Sequence, residues 1–493
     1  METLLTVTDV KKNHGTTRAL KGIDFEVARG EIVGLVGENG AGKSTLISIL
    51  GGWDVPDEGH MVLDGQPYAP KTPEEALACG VGSIQQKFVV DPEHTVAQNI
   101  FRASYHAGQD PATQRARALE LLRGAGLAFD PDTKMKDLVR AEQALVEVVR
   151  LMAEETQLVL MDEVAATFND LEISQFHAIT RRLAKEGRAV IYITHRIDEI
   201  SSLVKRVVVL REGHVARIFQ PRTMAAKEIA FEITQRDIDF DLRPPELESP
   251  DSHIYVENLN TLDGVVHDAS FNIRRGEIFG LTGLRRAGMT ELASALVGAN
   301  PARWDVYHIN GQPVQITNAG DAIKYRMGYL SDRDDEMGLR TEASIAANLL
   351  DGRMEPLTFG EEIKAMREVV DQVRRLRIRT MDIHGDVAKL SGGNQQKIAL
   401  ARWMGSGADI LILNHPTRGI DVGARQDIGQ MLRELTRQGT TILLISSDMS
   451  ELLELCHRTA VMRDGRIVSV QPNAESTEDT LMMDALGPLI EEM

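Results

Sequence analysis

The feature that most constrains this 493-residue chain is an internal duplication. Gly37-Glu38-Asn39-Gly40-Ala41-Gly42-Lys43-Ser44 recurs in frame as Gly283-Leu284-Arg285-Arg286-Ala287-Gly288-Met289-Thr290. Arg29-Gly30-Glu31-Ile32 recurs as Arg275-Gly276-Glu277-Ile278, and both pairs are offset by 246 positions. Two matches at one spacing indicate a repeated structural unit rather than coincidence. The length also exceeds what a single hydrophobic core accommodates. In each half, β-branched runs alternate with longer amphipathic stretches, which predicts α/β layers. Strands are expected at 31–36, 158–161 and 189–193, with counterparts at 277–282, 410–413 and 441–445. The segment Arg243-Pro244-Pro245-Glu246-Leu247-Glu248-Ser249-Pro250 can neither extend a helix nor fill a central strand. It marks a linker at 240–252 between domains spanning 1–239 and 253–493. The acidic and apolar stretch from Asn473 onward predicts a packed C-terminal helix.

Charge and cysteine content exclude several classes. The 73 acidic residues outnumber the 55 basic ones, for a net charge of −18. Nucleic acid is therefore not expected as the main ligand, because cationic contacts to phosphate supply most of that affinity. No run of eighteen apolar residues occurs, so the chain is not expected to span a membrane, and Met1-Glu2-Thr3-Leu4-Leu5 does not open a secretory signal. Two cysteines, Cys79 and Cys456, exclude a disulfide framework or a thiolate zinc cage and fit a reducing compartment.

The first copy carries phosphate chemistry. A strand leading into Gly37 and a helix from Lys43 are the context a phosphate loop requires. The residue pattern alone arises by chance in roughly a few per cent of chains this long; the strand and helix lower that further. Gly37, Asn39, Gly40, Ala41, Gly42, Lys43, Ser44 and Thr45 form the candidate nucleotide-binding segment. Backbone N–H groups around Gly40 and Gly42 can cradle phosphates at the positive end of the helix. Lys43 reaches the β- and γ-phosphates, and the Ser44 hydroxyl is a Mg²⁺ ligand. The apolar run Leu158-Val159-Leu160-Met161 ends in Asp162-Glu163. Asp162 is placed to hold Mg²⁺, and Glu163 to accept a proton from an attacking water. The run 189–193 ends in Thr194-His195-Arg196, where His195 can contact the γ-phosphate and hold that water. Gln86 lies between the loop and the acid pair as a further candidate on Mg²⁺.

The second copy carries a different element. Leu390-Ser391-Gly392-Gly393-Asn394-Gln395-Gln396-Lys397 opens a helical pattern, so Ser391 and the N–H groups of Gly392, Gly393 and Asn394 form an anion-binding helix start. An ordinary N-cap has the same composition. Two such elements facing each other can close on one triphosphate from both sides.

At this point the chain resembles the ABC ATPases: phosphate loop, glutamine loop, LSGGQ-type signature, Asp-Glu pair and switch histidine, in that order and twice. The tandem layout is similar to the ribose/galactose-type carbohydrate importers in particular. So are the 390–397 signature, Pro416-Thr417-Arg418-Gly419-Ile420-Asp421-Val422-Gly423, and Ile191-Tyr192-Ile193-Thr194-His195-Arg196. The resemblance implies two tandem P-loop nucleotide-binding domains of α/β class, each a mixed-sheet core with a helical signature subdomain. It implies ATP and Mg²⁺ as cofactors, and a separate integral-membrane permease, a homodimer, fed by a periplasmic or extracellular solute-binding protein. The chain would then sit peripherally on the cytoplasmic side of the plasma membrane. The family's adenine-stacking aromatic falls on His14.

The two copies have decayed in complementary places. The second has Met289 for Lys43, Asn414 for Asp162, His415 for Glu163, Asp332 for Gln86 and Ser447 for His195. The first has Leu138-Val139-Arg140-Ala141-Glu142 where a signature belongs. In the family, each site takes its loop from one domain and its signature from the other. One working site therefore combines Lys43, Asp162, Glu163 and His195 with Ser391 and Gly393, and the other is expected to be inert. The expected function is an ATP-hydrolysing subunit of a sugar importer. A nucleoside importer and a non-hydrolysing ATP-dependent scaffold are the alternatives. A soluble tandem protein acting on ribosomes would need a basic helical linker, which the short proline-rich joint is not.

Overall fold

The computed structural model divides the chain into two compact units, Met1–Ile238 and Asp239–Met493. It describes every residue except 1, 16, 86–87, 103–109, 166–167, 169, 237–241, 243, 245, 248–249, 285, 332–337, 352–359, 379–381, 391, 419 and 488–493; the side chains of 170, 171 and 198 are also outside it.

In the first unit the five-residue strand Ile32–Val36 is buried throughout, as a central parallel strand must be. It lies between Ala189–Ile193 and Arg206–Arg211 in a six-stranded sheet. The order is His214–Phe219, Arg206–Arg211, Ile32–Val36, Ala189–Ile193, Leu158–Asp162 and Val81–Ile84, with only the first of these antiparallel to its neighbour. Side-chain alternation sends Val33 and Leu35 to one apolar layer and Ile32 and Val36 to the other. The first layer holds the helix Lys43–Leu50 through Leu46, Ile47, Ile49 and Leu50, and an antiparallel sheet including Thr3–His14 and Thr17–Ala28. The second layer holds the helices Val96–Ile100, Pro111–Ala125, Arg140–Ala153 and Asp170–Lys185.

The second unit repeats this order strand for strand: Arg466–Pro472, Arg458–Arg463, Ile278–Gly283, Thr441–Ile445, Ile410–Asn414 and Met327–Leu330. Leu242, expected in the linker, is 3% exposed and belongs to the second unit's core, and the first strand of that unit starts at Ser252. The C-terminal stretch forms the helix Glu478–Leu486, capped by Thr477, with Leu481 and Ala485 buried. Two expected strand starts slip by one residue. Glu31 and Glu277 precede their strands because their N–H groups close the entering turns on Ala28 O and Arg274 O, each at 3.2 Å. Their side chains are buried against Arg206 at 2.9 Å and Arg458 at 2.6 Å. Burial pushes the Glu31 carboxyl up, but Arg206 and the Ala28 N–H outweigh it and hold it below the ordinary range. Among the described residues no helix is long and apolar enough to cross a membrane.

Candidate functional site

Parallel strands deliver their C-terminal ends to one edge, and the loops leaving that edge carry the chemistry. In the first unit the strand Ile32–Val36 runs into the turn formed by Gly37, Glu38, Asn39, Gly40 and Ala41. The helix Lys43–Leu50 then starts at Lys43, with Ser44 and Thr45 in its first turn. The turn closes through Ala41 N–H to Glu38 O (3.1 Å), and Gly213 N–H ties Ala41 O to the sheet (3.2 Å). Arg236 pairs with Glu38 at 3.4 Å, an anchor that no local sequence signal reveals. Lys43 is only 5% exposed. Its Nζ donates to Gly37 O at 2.8 Å and to Glu38 O at 3.2 Å, which holds the ammonium within the cup of the loop.

The neighbouring strands bring up the rest. Asp162 ends Leu158–Asp162 and accepts a hydrogen bond from Ser44. Burial, and next the adjacent Glu163 charge, push its carboxyl up to about 6, while Lys43, His195 and Ser44 pull the other way. Glu163 follows in a left-handed conformation (φ 51), its N–H bonded to Ile193 O at 3.2 Å. His195, just past Ala189–Ile193, places Nε2 2.5 Å from Glu163 Oε1, with both side chains nearly buried. Lys43, Ser44, Asp162, Glu163 and His195 thus form one cluster. His14 ends the strand Thr3–His14 with its side chain 53% exposed and Nε2 4.0 Å from Asp54. Gln86 lies outside the described residues.

The hydroxyl of Ser44 and the carboxylate of Asp162 are hard oxygen donors beside a second acid, the set a small divalent cation prefers. The second unit lacks that set. Met289 opens the helix Met289–Leu296 but packs into the apolar core. Asn414 Nδ2 donates to Thr290 Oγ1 at 3.1 Å, a neutral copy of the Asp162–Ser44 contact. Asn414 Oδ1 is buried with no hydrogen-bond partner among the described residues. His415 takes the Glu163 position with the same backbone (φ 50) and the same bond, N–H to Ile445 O at 2.9 Å. Arg285 and Asp332 lie outside the described residues.

The signature helices invert the asymmetry. Gly392 and Gly393 begin the helix Gly392–Met404, with Asn394 in its first turn, while Ser391 lies outside the described residues. In the first unit the helix Arg140–Ala153 starts after Val139, whose N–H is taken by Glu142 Oε2 at 2.9 Å. The degenerate segment therefore sets a carboxylate at its own helix start, where the second unit has the uncharged Asn394. Sequence reasoning overlooked one pair. Gln143 Nε2 donates to Met135 O and Leu138 O, and Gln395 Nε2 donates to Val387 O and Leu390 O, so both amides brace the turn entering their helix. The spacing of 252 positions that relates Asp162 to Asn414 also relates Gln143 to Gln395, and was the available signal.

Two α/β units, each with a loop built around a strand–helix turn and a separate helix start, define a nucleotide-binding cassette used twice. The family model described as ABC transporter matches residues 20–166 and 266–418. The ribose import ATP-binding protein RbsA 1 of Rubrobacter xylanophilus is 36% identical over 98% of this chain and 98% of its own length. The ribose import ATP-binding protein RbsA 2 of Streptomyces avermitilis is 34% identical over 98% and 97%. A solved chain from the complex of an archaeal ribosomal stalk protein with the ribosome recycling factor aABCE1 covers 97% of this chain and 92% of its own. Its TM-score is 0.66 at 18% identity, a likeness of fold alone. The chain belongs to the ABC transporter family.

Proposed function

We propose that this chain is the ATP-hydrolysing subunit of an ABC importer for a sugar, with one working site. The observation that carries the reading is the cluster of Lys43, Ser44, Asp162, Glu163 and His195 in the first unit, where the second unit has Met289, Thr290, Asn414, His415 and Ser447 at the matching sequence positions. The loop Gly37 to Thr45 binds the phosphates, with Lys43 on the β- and γ-phosphates and His14 against adenine. Ser44 and Asp162, with Gln86, hold Mg²⁺, which supplies charge neutralisation at the terminal phosphate. Glu163 Oε1 takes the proton of the attacking water, and His195, already 2.5 Å away, orients that carboxylate. Ser391, Gly392, Gly393 and Asn394 at the second half's helix start are the further candidate phosphate contacts.

Import of a sugar is supported by the relatives, which are named for ribose import. The partners are an integral-membrane permease, a homodimer, and through it a solute-binding protein, with the chain peripheral on the cytoplasmic face of the plasma membrane. The test is steady-state ATP hydrolysis by the purified chain, with and without its permease, beside Glu163→Gln. Turnover at least about 100-fold lower in the variant is expected. Equal turnover in both, or none in either, refutes the assignment.

A further inference from the structure

Lys397 belongs to the signature run, yet it does not face solvent. It is 6% exposed in the helix Gly392–Met404, flanked by the buried Ile398, Ala399, Leu400 and Ala401. Its Nζ donates to Asp427 Oδ2 at 2.6 Å and to Leu376 O at 2.9 Å. Leu376 caps the C-terminus of the helix Glu362–Arg375, and Asp427 sits on the helix Val422–Arg437, itself 6% exposed. Three helices therefore meet at one ammonium group. Arg377 approaches the other oxygen of Asp427 at 3.7 Å.

The first unit carries no charge at these two positions, although its helix Arg140–Ala153 has a different buried pair, Glu147 with Arg102 at 2.9 Å. At the offset of 252 positions that relates Asp162 to Asn414, Lys397 corresponds to Leu145, buried in the apolar core, and Asp427 corresponds to Gln175, exposed on the helix Asp170–Lys185. A buried ion pair holds helices no more firmly than apolar side chains of similar volume, because desolvation cancels much of the attraction. Cohesion is therefore not what the pair adds. A charge-assisted hydrogen bond is directional, whereas apolar contact is not. It fixes both the rotation and the axial position of the helix, five residues, or about 7.5 Å, from the N–H groups at Gly392. The pair occurs in the half that keeps the signature and is absent from the half that lost it.

We propose that Lys397 and Asp427 are positioning residues for hydrolysis, aiming the start of the signature helix at the nucleotide. This rests on the functional reading above. Neither side chain touches substrate; both act through the backbone N–H groups of Gly392 and Gly393.

The test uses the full chain with two variants: Asp427→Asn, which keeps the volume, and the paired Lys397→Met with Asp427→Leu, which restores an apolar contact. In both, kcat is expected to fall about 10- to 100-fold while KM for ATP stays within about threefold. The paired variant should melt at or above the wild-type temperature, which separates positioning from folding. Amide hydrogen exchange in the Glu163→Gln background gives a readout that needs no turnover. ATP should protect residues 37–45 in every variant, and residues 392–397 only where the ion pair is intact. A paired variant with kcat within about twofold of wild type, or with unchanged ATP-dependent protection of 392–397, overturns the proposal. If ATP fails to protect 37–45 in the wild-type chain, the functional reading itself fails and this inference falls with it.

Discussion

Alanine at Gly42 and at Gly40 separates two ways of damaging the same loop. Gly42 has φ +106, and a Cβ there would lie 2.7 Å from Leu20 Cδ2 and 2.8 Å from Ala19 O. Gly40 has φ +83, but a Cβ there meets nothing within 4 Å. The second unit already carries a side chain at the Gly40 position: Arg286, exposed, with φ +66. A left-handed backbone costs an L-residue about 1–2 kcal/mol. The reduced freedom of the unfolded chain offsets about 0.4–1 kcal/mol of that. Gly40→Ala is therefore expected to lose less than about 1.5 kcal/mol. Gly42→Ala adds overlap with a backbone oxygen that cannot rotate away, about 2 kcal/mol more. At roughly 2–4 °C per kcal/mol, its first-unit transition should fall about 4–8 °C below that of Gly40→Ala. Scanning calorimetry of the nucleotide-free chain measures this. Coincident transitions, or the reverse order, would show that the loop relaxes around Ala19 and that the clash argument is wrong.

His195→Ala should lower turnover about 100-fold while leaving ATP binding intact, read by steady-state hydrolysis beside equilibrium binding. Glu142→Ala removes the carboxylate that satisfies Val139 N–H. It should destabilise the first unit by about 1 kcal/mol without raising ATP turnover, checked by melting and hydrolysis on one preparation. Burial, and next the Arg275 charge, lower His253 from 6.5 to about 4, so the folded state keeps it neutral while the unfolded chain protonates it. Its contribution is intact above pH 6.5 and lost as pH falls toward 4, at most about 3 kcal/mol. His253→Gln should flatten the pH dependence of second-unit melting in that window. Met289→Lys combined with Glu163→Gln should remain inactive, because Asn414, His415 and Ser447 still lack the acid, base and switch groups; measurable hydrolysis by that variant would contradict the inert second site.

The site cluster was legible because its signal is residue identity at the ends of buried strands. Lys43, Asp162, Glu163 and His195 each follow an apolar run, and the fold brings those strand ends to one edge. Long-range compensation was not legible. Glu31 and Glu277 resemble the first residues of strands until Arg206 and Arg458, 175 and 181 positions away, turn them into buried pairs. Gln143, Gln395 and Lys397 resemble surface polar residues on amphipathic helices. Each is drawn inward because a turn or a helix end exposes carbonyl oxygens that need donors.

The matched conformations of Glu163 and His415 show which constraint holds the turn. Both are non-glycine residues near φ 50, and both N–H groups bond to the last residue of the adjacent strand, Ile193 or Ile445. His415 performs no carboxylate chemistry, so catalysis does not explain its strained backbone. The parallel register does: Asp162 pairs with Ile193 and Asn414 with Ile445, which leaves the next residue one bond from the sheet in each case. A left-handed residue costs about 1–2 kcal/mol, close to what a buried, unsatisfied N–H would cost if the turn relaxed. The scaffold therefore keeps its geometry after the reactive side chains are gone. At these matched positions the two units therefore differ in their side chains: Lys43 against Met289, Asp162 against Asn414, Glu163 against His415.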